Sequence, residues 1–122
     1  MADVERQRSD YRTYETVMMI RNIDYIILAY VVFIREETTD QAELETYGRK
    51  APAAAVGHNV SFLTLYGKHE VLEGPTMEGA AILQFPTVEE ARRWYDSGAY
   101  QEAAAHRRAG ADYRVFIVEA NQ

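Results

Sequence analysis

The 122-residue chain has no cysteine. Its absence excludes disulfide stapling, thiolate nucleophiles and cysteine-ligated zinc, and it suits a reducing compartment, so a cytoplasmic protein is expected. Long apolar runs are also missing. The most hydrophobic stretch, Ile26 to Ile34, lies between Asp24 and Arg35, whereas a membrane-spanning helix needs about 20 apolar residues. It reads as a buried element, with no membrane partner. The first residues carry Asp3, Glu5, Arg6, Arg8 and Asp10, which is unlike the basic start and apolar centre of a secretory signal.

Positive charge is in deficit: 13 Lys and Arg stand against 19 Asp and Glu, a net charge of -6. Such a surface repels phosphate backbones, so no nucleic-acid partner is expected. The adjacent pairs Arg92-Arg93 and Arg107-Arg108 are interleaved with Glu89, Glu90 and Glu102, as on a solvated face of mixed charge. The seven glycines match neither the dinucleotide nor the phosphate-loop spacing. No serine lies in a Gly-x-Ser-x-Gly elbow. No cofactor is therefore expected.

What is present describes one globular domain: 48% hydrophobic and 26% charged residues on a chain too short for two cores. Residues 1–22 read as an N-terminal arm, partly helical or disordered, and 23–122 as the domain. In the arm, Tyr11, Tyr14, Val17 and Met18 recur at helical spacing. Tyr25 to Ile34 is β-branched and aromatic with no polar alternation, as in a strand covered on both faces. Thr38, Thr39 and Asp40 offer helix caps, and a helix should run past Leu44 and Tyr47 until Pro52 interrupts it and Gly57 stops it. Ser61 to Tyr66 reads as a strand alternating Phe62/Thr64/Tyr66 against Leu63/Leu65, with a short hairpin strand at His69 to Glu73. Gly79 to Phe85 is another apolar strand. Thr87 with Glu90 forms a capping box for a helix to Ser97, closed by Gly98. Ala99 to Arg108 continues as helix, and Asp112 to Glu119 is the last strand.

The order β-α-β-β-α-β predicts an α+β ferredoxin-like sheet with helices on one face. Strands apolar on both faces then need a second cover, and an identical subunit supplies it most simply. A homodimer is expected.

The stretch Glu70-Val71-Leu72-Glu73-Gly74, then Gln84-Phe85-Pro86, then Glu90 to Gln101 (Glu-Ala-Arg-Arg-Trp-Tyr-Asp-Ser-Gly-Ala-Tyr-Gln) resembles the domain-of-unknown-function 1330 family. Arg107 one helix downstream and Tyr47 before Pro52 fit the same pattern. Gly98 departs from it, standing where the family usually has proline. The resemblance implies a dimeric α/β barrel, two ferredoxin-like sheets packed face to face. It implies no reaction.

His58, His69 and His106 are candidate acids or bases, and their spacing forms no metal motif, so no metal is expected. His58, next to the helix-stopping Gly57, is the expected base. Glu73 is its partner or an alternative base, and Arg107 with its planar fork is the anion anchor. Among nine tyrosines, Tyr47, Tyr66 and Tyr100 fall where they would line a ligand cavity. The reading is a small cofactor-independent enzyme doing acid-base chemistry (isomerase, cyclase, lyase or cofactor-free oxygenase) on a small aromatic or carboxylated metabolite. The alternative is a non-catalytic dimeric module that binds a ligand or serves assembly.

Overall fold

The computed structural model describes residues 26–121; the predicted N-terminal arm lies outside them. The elements are β1 (Ala29–Thr38), α1 (Gln41–Ala54), β2 (Ser61–Leu65), β3 (Gly79–Phe85), α2 (Val88–Tyr95), α3 (Gly98–Gly110) and β4 (Ala111–Glu119). All strand pairs are antiparallel and the sheet order is β2-β3-β1-β4. This is the expected ferredoxin-like arrangement.

Strand alternation sorts residues onto the two faces. Ala29, Val31 and Phe33 of β1 and Ala81, Leu83 and Phe85 of β3 are buried toward the helices, with Ala91, Trp94, Tyr100 and Ala104 packed on them. Trp94 anchors this core through its rings' approach to Tyr100 (4.1 Å between centroids) and Phe85 (5.3 Å). The other face carries Tyr30, Val32, Ile34 and Ile82, aligned with Phe116 and Val118 of β4. Phe116 and Val118 are among the exposed large hydrophobic residues. Among the described residues, no helix packs on that face.

The caps sit where the sequence predicts, although the Glu90 carboxylate turns to Asn59 and Arg93 and leaves the capping box half formed. Asp40 accepts from the Ala42 and Glu43 N–H groups, and Thr87 Oγ1 accepts from Glu90 N at 3.1 Å. Three expectations fail. Pro52 does not interrupt α1, which carries it inside its last turn before the chain reverses at Gly57 (φ 84°). Gly98 opens α3 instead of closing a helix. Ser97 is the cap, its hydroxyl donating to Trp94 O at 2.7 Å and accepting from Tyr100 N at 3.2 Å. His69 to Glu73 forms no strand, because no neighbouring strand offers its backbone a ladder. The 67–78 segment is instead tied across by His69 Nε2 and Met77 O, 3.1 Å apart.

Strand β2 also departs from simple alternation. Phe62 pairs with Leu83 and Thr64 with Ile82, leaving Leu63 as an extra residue in a bulge. The bulge inverts the parity after it. Phe62 and Leu65, predicted on opposite faces, both turn toward the helices beside buried Leu83 and Ala81.

Candidate functional site

Helix α1 packs along α3 and makes little contact with the sheet. Beneath it lies a cavity of about 500 Å³. Sheet residues Phe33, Arg35, Leu83 and Tyr113 form the floor. Leu44, Glu45 and Tyr47 of α1 form the roof, Phe62, Leu65 and Tyr66 one side, and Trp94 the depth. Phe62 and Leu65 remain 51% and 57% exposed, so this side forms an open apolar rim.

The walls are mostly apolar, and the polar groups behind them are organised in pairs. Tyr47 and Tyr100 hydroxyls lie 2.9 Å apart, and those of Tyr66 and Tyr113 2.7 Å apart. Burial above all pushes the Tyr47 hydroxyl far above its ordinary pKa, with Tyr100 adding to the rise and Arg107 opposing it. Tyr66 is raised in the same way, first by burial and then by its bond to Tyr113, against a lowering by Arg35. Burial raises Tyr100 as well, although its bond to Tyr47 and the neighbouring Arg107 pull the other way. These tyrosines stay protonated at neutral pH and act as donors, not bases.

Arg107 sits behind the same wall and is 3% exposed. Its guanidinium lies over the rings of Tyr113 (5.0 Å) and Phe33 (5.6 Å). Among the described residues no carboxylate pairs with it, and its Nε is buried without a hydrogen-bond partner. At the mouth, Arg35 stacks on the Tyr66 ring at 4.6 Å and pairs with Glu78 at 3.1 Å. Glu78 also accepts from the Thr38 hydroxyl and backbone, bonds that lower its pKa with help from Arg35.

The expected site residues divide. Tyr47 and Tyr66 line the cavity, with Tyr100 and Arg107 directly behind them. His58 does not reach it. It lines a separate cleft of about 330 Å³ with Asn59, Ser61 and Gln84, because the turn at Gly57 carries it to the start of β2 while the cavity opens at that strand's end. Glu73 belongs to the exposed 67–78 segment, which has no strand to aim it inward, and it does not line the cavity. The trio His58, Glu73 and Arg107 therefore does not share this cavity. His106, next to Arg107 in the chain, is bound to Glu43 at 2.6 Å, joining α3 to α1.

Sequence reasoning missed Glu45, the one carboxylate on the cavity wall among the described residues, together with Arg35 and Trp94. Glu45 carried no local signal, because two residues before Tyr47 on the same helix it falls on a different face. Only the stand-off of α1 from the sheet turns that position toward a cavity.

The family model described as domain of unknown function (DUF1330) matches residues 28–121. No functionally curated protein matches the chain. Among solved structures, the RPA0582 protein of unknown function from Rhodopseudomonas palustris is 19% identical, with 88% of this chain and 93% of that one covered and a TM-score of 0.65. A dimeric ferredoxin-like protein of unknown function from Thermobifida fusca is 14% identical, covering 77% and 92%, with a TM-score of 0.54. SnoaB, a cofactor-independent oxygenase from Streptomyces nogalater, is 16% identical, covering 80% and 95%, with a TM-score of 0.50. At such identities the likeness establishes the fold alone.

Proposed function

The chain belongs to the DUF1330 family and has a ferredoxin-like fold, and from that premise we propose that it is a cofactor-independent enzyme performing acid-base chemistry on a small aromatic metabolite. The observation that carries this reading is the cavity under α1, with apolar and aromatic walls, tyrosine hydroxyls as proton donors and one carboxylate at its rim. Its volume suits a ligand of one to three rings. Glu45 is the proton acceptor, and the Tyr47 and Tyr66 hydroxyls stabilise the charge that develops on the substrate oxygen. Isomerisation, cyclisation, elimination and oxygenation of an activated ring all begin with such a proton removal. SnoaB is named for the last of these, and one fold hosts many reactions.

The protein works as a homodimer joined through its open sheet face. Two supports converge: the apolar row of Tyr30, Val32, Ile34, Ile82, Phe116 and Val118, and the dimeric state of the Thermobifida fusca neighbour.

The test is proton exchange on 2-tetralone, an enolisable aromatic ketone, followed by proton NMR in D2O. Exchange should outpace buffer, and Glu45→Gln should lower the enhancement by a factor of roughly 10² to 10⁴, the usual weight of a general base. Binding of the ketone without exchange would instead favour a non-catalytic ligand-binding module.

A further inference from the structure

Arg107 poses an electrostatic question that its surroundings answer only in part. A guanidinium this buried loses much of its hydration, and an unpaired buried cation is costly. The aromatic groups around it are neutral: the faces of Phe33 and Tyr113, and Tyr100, whose hydroxyl feels its charge. The missing element is a negative charge.

The tyrosine pairs show where that charge would sit. Two hydroxyls sharing one hydrogen bond use only one of their two protons. Either member of each pair can donate, so an anion in the cavity can draw both into one polarity, Tyr100 donating to Tyr47 and Tyr113 to Tyr66, which leaves free the protons of Tyr47 and Tyr66, both on the cavity wall. In that polarity each pair points its donor end at the cavity and its other end at Arg107. In one relay the charge of Arg107 makes the Tyr100 hydroxyl a stronger donor to Tyr47. In the other, the cation over the Tyr113 ring strengthens that hydroxyl as a donor to Tyr66.

We propose that this cavity selects ligands bearing an acidic hydroxyl, a phenol or an enol, and holds them as oxyanions on the Tyr47 and Tyr66 hydroxyls with Arg107 as the compensating charge. The inference deepens the reading of the cavity given above and rests on it. Carboxylates are the poorer class. A carboxylate wants the arginine fork itself, and Arg107 does not line the cavity, being walled off by Phe33 and Tyr113. A single-oxygen anion spread over a ring needs only two donors and accepts apolar walls. Burial keeps both tyrosines protonated, so neither competes with the ligand for the negative charge.

The experiment is a visible-absorbance titration of 4-nitrophenol, whose neutral and ionised forms absorb differently, into the full-length protein at a pH near the probe's own pKa. The bound probe should favour phenolate about tenfold or more over the free probe, the scale of one or two charge-assisted hydrogen bonds. Tyr66→Phe and Tyr47→Phe should each reduce that preference, and 4-nitrobenzoate should compete poorly. Arg107→Met should abolish it, but the buried site puts the fold at risk, so the single-hydroxyl variants carry the test. A probe bound as neutral phenol, or a phenolate preference unchanged in both Phe variants, would overturn the proposal. If 2-tetralone still exchanges its protons in that case, the acid-base reading survives and only the oxyanion assignment falls. If 4-nitrophenol does not bind and exchange is absent, both fall.

Discussion

Two glycines, one inside α1 and one at the end of α3, should respond to the same substitution with opposite signs. Gly110, at the end of α3, has its carbonyl accepting from Thr39 N at 2.8 Å and Asp40 N at 3.0 Å. A Cβ built there would lie 2.9 Å from Leu44 Cγ and 3.0 Å from the Asp40 carbonyl oxygen. One obstacle is backbone and the other a buried branch point, so neither yields easily. Overpacking of this kind costs about 1–3 kcal/mol, offset by less than the ~1 kcal/mol that alanine gains over glycine inside a helix, since the position is terminal. Gly110→Ala should therefore destabilise by about 1–2 kcal/mol, which in a domain this size lowers Tm by about 4–8 °C per kcal/mol. Gly48 lies mid-helix in α1 with nothing within 4 Å of a built Cβ. Gly48→Ala should stabilise by about 0.5–1 kcal/mol. Both are read by circular-dichroism melts at one fixed protein concentration, because association also shifts Tm. A Gly110→Ala protein that melts at or above the parent temperature would refute the reasoning. It would mean that α1 floats freely over the end of α3, and the cavity roof would have no fixed height.

Replacing Phe116 with Glu places a charge on the open sheet face and should convert the dimer to monomer in sedimentation at micromolar concentration; a parent chain that sediments as a monomer would contradict the interface. Glu78 has its pKa held below the ordinary carboxylate value by the Thr38 bonds and Arg35. Its contribution is thus present above the unfolded-state pKa and is lost as pH falls through the lower folded value. Glu78→Gln should flatten the acid limb of a stability-versus-pH curve, and a variant whose acid limb matches the parent's would show that the clasp is inert.

The fold was legible because its signals are local. Asp40 and the Thr87–Glu90 box mark helix starts without reference to anything distant, and the apolar strands 29–35 and 79–85 pair where pattern alone puts them. The failures are long-range. The His69 to Glu73 strand had a passable alternation and no partner. Gly98 looked like a stop because the hydroxyl of Ser97, which restarts the helix, acts only once the turn is made. Around the cavity, Tyr47 and Tyr66 line the wall and Tyr100 and Arg107 stand behind it, and their residue types, aromatic hydroxyls and a planar cation, are what made them worth naming from sequence. Glu45 was missed and His58 misplaced for one reason: which polar side chain faces a cavity depends on how far α1 stands from the sheet, and no single segment encodes that distance.

The bulge at Leu63 bears on what this protein avoids. β2 is an outer strand, and among the described residues no strand pairs with its far edge, the kind of edge along which sheets recruit further strands into open-ended stacks. The extra residue breaks the ladder's spacing, and Tyr66, at φ 57°, turns the chain out of strand geometry immediately beyond Leu65. An incoming strand would find mismatched hydrogen-bonding groups over a stretch only five residues long. Lateral growth is disfavoured at that margin, which leaves the broad apolar face as the surface on which the proposed dimer would close. Deleting Leu63 would make Phe62 and Thr64 successive rungs of a regular ladder without changing the face of Leu65, and should make the chain more prone to fibrous aggregation.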